Sequence, residues 1–97
     1  MTEGGSPVLT RTVTITNKRG LHARAAAKFV TTAERFGASV EVVRDDEAPV
    51  SARSIMGLMM LGAAKGCSLE LRAEGWDAKE ALDALTALIE AGFDERD

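Results

Sequence analysis

The stretch Cys67-Ser68-Leu69-Glu70-Leu71-Arg72-Ala73-Glu74 alternates small or apolar residues with polar ones almost without error. Successive side chains of a strand point to opposite faces, so Cys67, Leu69, Leu71 and Ala73 share one face and the polar residues the other. A strand that is dry on one side only belongs in an antiparallel sheet covered on that side. Downstream, Asp77 followed by Glu80 reads as a capping box. Ala78, Ala81, Leu82, Leu85, Leu88 and Ile89 then form the apolar stripe of a helix that ends at Gly92. Upstream, Ser54 introduces a short helix, Ile55-Met56-Gly57-Leu58-Met59-Met60-Leu61, closed by Gly62 and Gly66.

Further toward the N-terminus, Leu9 to Thr16 carries Leu9, Val13 and Ile15 on one face and Thr10, Thr12 and Thr14 on the other, which predicts a half-buried strand. A turn at Asn17-Lys18-Arg19-Gly20 leads into a helix from about His22 to Phe36, with Ala23, Ala26, Ala27, Val30 and Ala33 at helical spacing and Gly37 as C-cap. Ala38 to Arg44 alternates again, burying Val40 and Val42, and the polar turn Asp45-Asp46-Glu47 separates it from a short third strand at Pro49 to Ala52. The order is strand, helix, strand, strand, helix, strand, helix. One antiparallel sheet with its helices on a single face buries every apolar stripe, giving an α+β domain of two layers.

The 97 residues suffice for one core, placed over 8–93 between a flexible N-terminal tail, 1–7, and a C-terminal tail, 94–97. No apolar run approaches the ~18 residues of a membrane helix, and the first residues have neither a basic start nor an apolar stretch. A soluble cytoplasmic protein without membrane insertion is expected. The single Cys67 forms no intrachain disulfide and reads as a small core residue; one cysteine and one histidine make a poor metal site. A net charge of −3 argues against nucleic acid as the main partner. The charge is uneven, however. Lys18, Arg19, Arg24 and Lys28 surround His22 with no acidic residue between them, which fits either steering toward an acidic or phosphorylated partner or an ordinary solvated helix face.

His22, the sole histidine, stands at the predicted start of the first helix. An imidazole nitrogen is a nucleophile near physiological pH, since histidine ordinarily titrates at about 6.5, and a helix start presents free N–H groups and the positive end of the peptide dipoles to an anion. Arg19-Gly20-Leu21-His22 supplies no serine, threonine, aspartate or asparagine as cap, so the N–H groups near Ala23, Arg24 and Ala25 are open to water, to a side chain from elsewhere or to an anion. Arg24 can bring a guanidinium to a phosphate on the imidazole. A hydrated helix end with a surface histidine fits the same local pattern. Ser54 reads as an N-cap and also as a phosphorylation switch, because a phosphate at a helix start is electrostatically tolerated. With Leu58 and Leu61 facing the core, Ile55, Met56, Met59 and Met60 are left partly exposed, as an adaptable surface or as core packing.

Two motifs, Gly20-Leu21-His22-Ala23-Arg24 and Arg53-Ser54-Ile55-Met56-Gly57-Leu58, resemble those of the HPr family, the histidine-containing phosphocarriers of the bacterial phosphotransferase system. The resemblance extends from about Leu9 to Ala91. It implies an open-faced sandwich with a four-stranded antiparallel sheet and three helices on one face. It also implies that enzyme I, charged by phosphoenolpyruvate, phosphorylates Nδ1 of His22, that Arg24 assists, and that the group passes to an EIIA-type protein. By the same resemblance Ser54 is the target of HPr kinase/phosphorylase, and Ile55, Met56, Met59 and Met60 form the docking surface. The chain itself is then a carrier, a substrate of other enzymes, acting as a monomer without metal or cofactor. Ala25 departs from the family's usual proline, which suits a first helical turn by giving up an unpartnered N–H. That departure leans toward an alternative in which the protein is a regulatory adaptor of a nitrogen or metabolic branch, read through its Ser54 phosphorylation state and without sugar transport.

Overall fold

A computed structural model describes residues 7–95. Its elements run β1 (Leu9–Thr14), α1 (Ala23–Ala33), β2 (Ser39–Val43), β3 (Val50–Ser51), α2 (Ile55–Met60), β4 (Ser68–Glu74) and α3 (Ala78–Glu90), followed by a 3-10 turn at Gly92–Asp94. The expected order is present, with each element trimmed by one to three residues at an end where hydrogen bonding changes pattern. β4 lies inside the sheet, whose order is β1-β4-β2-β3 and whose pairs are all antiparallel. Leu69 faces Val13 across one ladder, Leu71 faces Val42 across the other, and Ala73 faces both Leu9 and Val40. Leu69, Leu71 and Ala73 are fully buried, whereas Thr10, Thr12, Thr14, Ser39, Glu41, Ser68 and Glu74 on the other face are exposed. This division is what leaves the sheet open on one side. Cys67 is only partly buried, packed against the edge of the core.

The three helices form the second layer, α3 lying over β1 and β4, with α1 beside both α2 and α3. α1 buries Ala25, Ala26, Phe29, Val30 and Ala33, while Ala23 is exposed. The stripe is therefore rotated from the alanine spacing alone, because Phe29, 1% exposed, is the large side chain that sets which face turns inward. α1 also ends at Ala33, not Phe36. The chain leaves it through i→i+3 bonds from Arg35 to Thr32 and from Phe36 to Ala33, which tighten the last turn.

Gly37 is not the C-cap of α1. The C-cap is Glu34, and a Cβ on Gly37 would stand 2.8 Å from the indole nitrogen of Trp76, an exposed side chain with room to move. Nor do Asp77 and Glu80 form a capping box: the Asp77 side chain makes no cap bond to α3. Its two oxygens instead accept the N–H groups of Gly37 (2.9 Å) and Ala38 (2.8 Å), fastening the α1–β2 connection to the start of α3. An isolated helix start has only its own cap to use, whereas here the α1–β2 connection competes for the same carboxylate.

Residues 94 and 95, which fall in the expected C-terminal tail, continue the chain past α3 through hydrogen-bonded turns. Phe93 adopts φ +57° and is completely buried, Asp94 closes the 3-10 turn, and Glu95 N–H bonds the Gly92 carbonyl at 3.1 Å. A buried aromatic ring is worth several kcal/mol, enough to fix a short terminal segment. Residues 96 and 97, and residues 1–6 of the expected N-terminal tail, lie outside the described residues. No described helix is long and apolar enough to cross a membrane.

Candidate functional site

The turn between β1 and α1 is built around Asn17, whose side-chain Nδ2 donates to the Gly20 carbonyl at 2.9 Å while its main-chain carbonyl accepts the Gly20 N–H. Gly20 takes φ +68°, a left-handed conformation that glycine adopts without strain. The next residue, Leu21, is buried and donates its N–H to the Ala63 carbonyl at 2.9 Å, tying the turn to the loop after α2. His22 is thereby set at the N-cap of α1 in an extended conformation.

The imidazole itself caps the helix: Nδ1 accepts the Arg24 N–H at 3.2 Å, and the His22 carbonyl accepts the Ala26 N–H at 2.8 Å. The start of α1 thus has a cap of an uncommon kind, where the sequence shows no conventional one. On the other side of the ring, Nε2 is hydrogen-bonded to the Glu95 carboxylate. An N–H donor at Nδ1 and a carboxylate at Nε2 together assign the tautomer with its proton on Nε2 and a lone pair on Nδ1.

Glu95 also accepts from Asn17 Nδ2 at 3.0 Å, so each of its oxygens has a partner. The hydrogen bond from His22, then that from Asn17, hold its carboxyl below the usual glutamate range, with the Arg19 charge adding to them and partial burial opposing. The His22 and Glu95 side chains are 16% and 13% exposed, shielded but within reach of a partner.

Of the basic residues, Lys18, Arg19 and Arg24 are exposed, and Arg24 forms no ion pair among the described residues. Lys28 donates to the Phe93 carbonyl at 2.7 Å, and with Arg24 and Asp94 it lines a shallow groove between α1 and α3. The local sequence around His22 is purely basic, but the fold adds Glu95 and Asp94 from the far end of the chain.

Ser54 is the N-cap of α2, its Oγ accepting the Gly57 N–H at 2.9 Å. Leu58 and Leu61 are buried as the spacing predicts, while Ile55, Met56, Met59 and Met60 stand 42%, 67%, 40% and 78% exposed on the helix beside α1. The start of α1 and this apolar surface are two parts of one helical layer. Sequence reasoning missed Asn17 and Glu95 as partners in the site, and placed Lys28 in the basic patch without its bond to Phe93. Asn17 showed only as a turn former, and Glu95 carries no local signal at all.

Chemically, the arrangement offers a nucleophilic Nδ1 at a helix start. A phosphoryl group there would meet the Arg24 N–H, with those of Ala23 and Ala25 in the same turn and the exposed Arg24 side chain on that turn.

Residues 9–91 match the family model described as the PTS HPr component phosphorylation site. The phosphocarrier protein HPr of Pseudomonas aeruginosa is 54% identical over 83 residues, covering 86% of this chain and 92% of that protein. The phosphocarrier protein NPr of Shewanella violacea is 48% identical over 87 residues, covering 90% and 94%. Among solved structures, HPr-C-His from Thermoanaerobacter tengcongensis superposes with a TM-score of 0.84 at 48% identity, covering 91% of this chain and 98% of that one. With the open-faced sandwich, the histidine-capped helix and these relatives in agreement, the chain belongs to the HPr family, the phosphocarriers of the phosphotransferase system.

Proposed function

We propose that His22 accepts a phosphoryl group on Nδ1 from phosphoenolpyruvate-charged enzyme I and passes it to an EIIA-type protein. The observation that carries this is the His22 ring at the start of α1, its Nδ1 turned to the helix N–H groups and its Nε2 proton already committed to Glu95. Arg24 and the N–H groups of Ala23, Arg24 and Ala25 stabilise the phosphoryl oxygens, and positioning with electrostatics supplies most of the rate. Ile55, Met56, Met59 and Met60 form the docking surface, an exposed apolar group of adaptable side chains beside α1. The protein works as a monomer in the cytoplasm, a substrate of enzyme I and not itself a catalyst.

The test is incubation with phosphoenolpyruvate and enzyme I. Acid-labile phosphate that disappears in His22→Ala supports the reading, and a label that survives this substitution overturns it.

Regulation at Ser54 by HPr kinase/phosphorylase is the second element. Ser54 is half-buried at a helix start, where added phosphate meets free N–H groups without disturbing the core. Acid-stable phosphate from ATP, lost in Ser54→Ala, is the expected result. A branch serving nitrogen or metabolic regulation, without sugar transport, is favoured by one feature: Ala25, fully buried in the first turn of α1, retains an N–H that proline would lack.

A further inference from the structure

Glu95 is remote in sequence from the motif that carries His22, yet several contacts deliver it there. Phe93 is completely buried, its carbonyl accepts the Lys28 ammonium at 2.7 Å, and Glu95 closes on Gly92. Asn17, itself buried and bonded to Gly20, takes one carboxylate oxygen, leaving the other for His22 Nε2. The carboxylate is thus held from two sides by parts of the fold that are rigid for other reasons.

The consequence lies in how the imidazole can react. A neutral imidazole has one nitrogen with a free lone pair, and which one it is depends on where the proton sits. We propose that Glu95 is a positioning residue for phosphoryl transfer: by accepting the Nε2–H of His22 it keeps the lone pair on Nδ1 and directs the phosphoryl group there. The inference rests on His22 as the acceptor.

The step balances without a proton leaving the ring. The Nδ1 lone pair forms the new P–N bond, the bond from phosphorus to the donor breaks with its electron pair returning to the donor, and Nε2 keeps its hydrogen. The phosphorylated ring then carries a positive charge directly against the Glu95 carboxylate, where a charge-assisted hydrogen bond is stronger than a neutral one. The other charged groups about the pair are Arg19, which acts on Glu95, Arg24 and Lys28 on α1, and Asp94 in the terminal turn. Among the described residues, only Glu95 is bonded to the ring through a side chain.

The experiment uses the full chain and its Glu95→Ala, Glu95→Gln and Glu95→Asp variants, each confirmed folded by circular dichroism. Phosphoramidate serves as a small donor: its P–N bond breaks, ammonia departs with a solvent proton, and no docking partner is involved. Phosphorus NMR distinguishes the two phosphohistidine isomers. The unsubstituted protein is expected to give the Nδ1 isomer alone, and Glu95→Ala to add the Nε2 isomer. With charged enzyme I as donor, Glu95→Ala and Glu95→Gln are expected to slow labelling roughly tenfold, the effect of losing one charge-assisted contact, with Glu95→Asp recovering part of the rate.

A Glu95→Ala protein that yields the Nδ1 isomer alone at an unchanged rate overturns the inference while leaving His22 as acceptor. Absence of label on His22 in the unsubstituted protein overturns both.

Discussion

Gly20 lies so close to Ala63 that a Cβ on the glycine would stand 2.5 Å from the Ala63 carbonyl oxygen. That carbonyl is the acceptor for the Leu21 N–H, so the contact cannot open without loosening the residue just before His22. Gly20→Ala meets two obstacles, a φ of +68° and a backbone clash. The strain alone costs on the order of 1 kcal/mol, and displacing the loop adds to it. Urea unfolding is expected to show a loss of about 2 kcal/mol or more, and labelling of His22 is expected to slow in the same variant.

Asp77 is 5% exposed and accepts two backbone N–H groups from the α1–β2 connection, whereas Glu80 is exposed and makes no cap bond. Asp77→Ala removes the acceptor of both N–H groups, leaving that of Ala38 buried without a partner, and is expected to cost about 2 kcal/mol in denaturant unfolding. Glu80→Ala is expected to stay within about 0.5 kcal/mol of the unsubstituted protein. Comparable losses in the two variants would restore the capping box that the sequence suggests.

Ser54 caps α2 through the Gly57 N–H, and α2 has only six residues. Removing the hydroxyl in Ser54→Ala is expected to cost about 1 kcal/mol, with Ser54→Asp losing less because aspartate caps equally well. Thermal unfolding of the three proteins at one pH checks the order.

The Glu95 carboxyl is held below its ordinary range by hydrogen bonds from His22 and Asn17. A carboxyl with a lowered folded-state value contributes stability that is fully present above its unfolded-state value, about 4.3, and is lost as pH falls through the folded-state value. The stability difference between the unsubstituted protein and Glu95→Gln is therefore expected to shrink as pH falls below that point. Asp83, lowered by Lys79 and Arg11, falls in the same direction, so the comparison is made as a difference between the two proteins. A difference that grows as pH falls below about 4.3 contradicts this assignment.

The elements that were readable from sequence are those whose burial follows a short period. β4 shows this best, since its alternation holds with a helical layer on one side and water on the other. The α3 stripe and the Ser54 cap are local in the same sense, and both are present. The inward face of α1 was harder to read, because four alanines in its first turn and a half make several stripes equivalent until Phe29 is placed. The Asp77 cap failed for a different reason. Its carboxylate had a choice of donors, and the competing ones come from a loop 40 residues earlier.

At the candidate site, the histidine, its glycine and its arginine stand in one run of sequence, and Ser54 with its apolar neighbours stands in another. Sequence by itself determined the order of the strands and helices, the position of His22 at a helix start and the apolar side of the sheet, because periodicity, turn chemistry and caps act over a few residues. Only the tertiary structure supplied the Nε2 partner that, with the local Arg24 N–H at Nδ1, sets which nitrogen of His22 bears the proton. That partner is a carboxylate 73 residues away, brought to the ring by a buried phenylalanine and a lysine on the same helix as the histidine it serves.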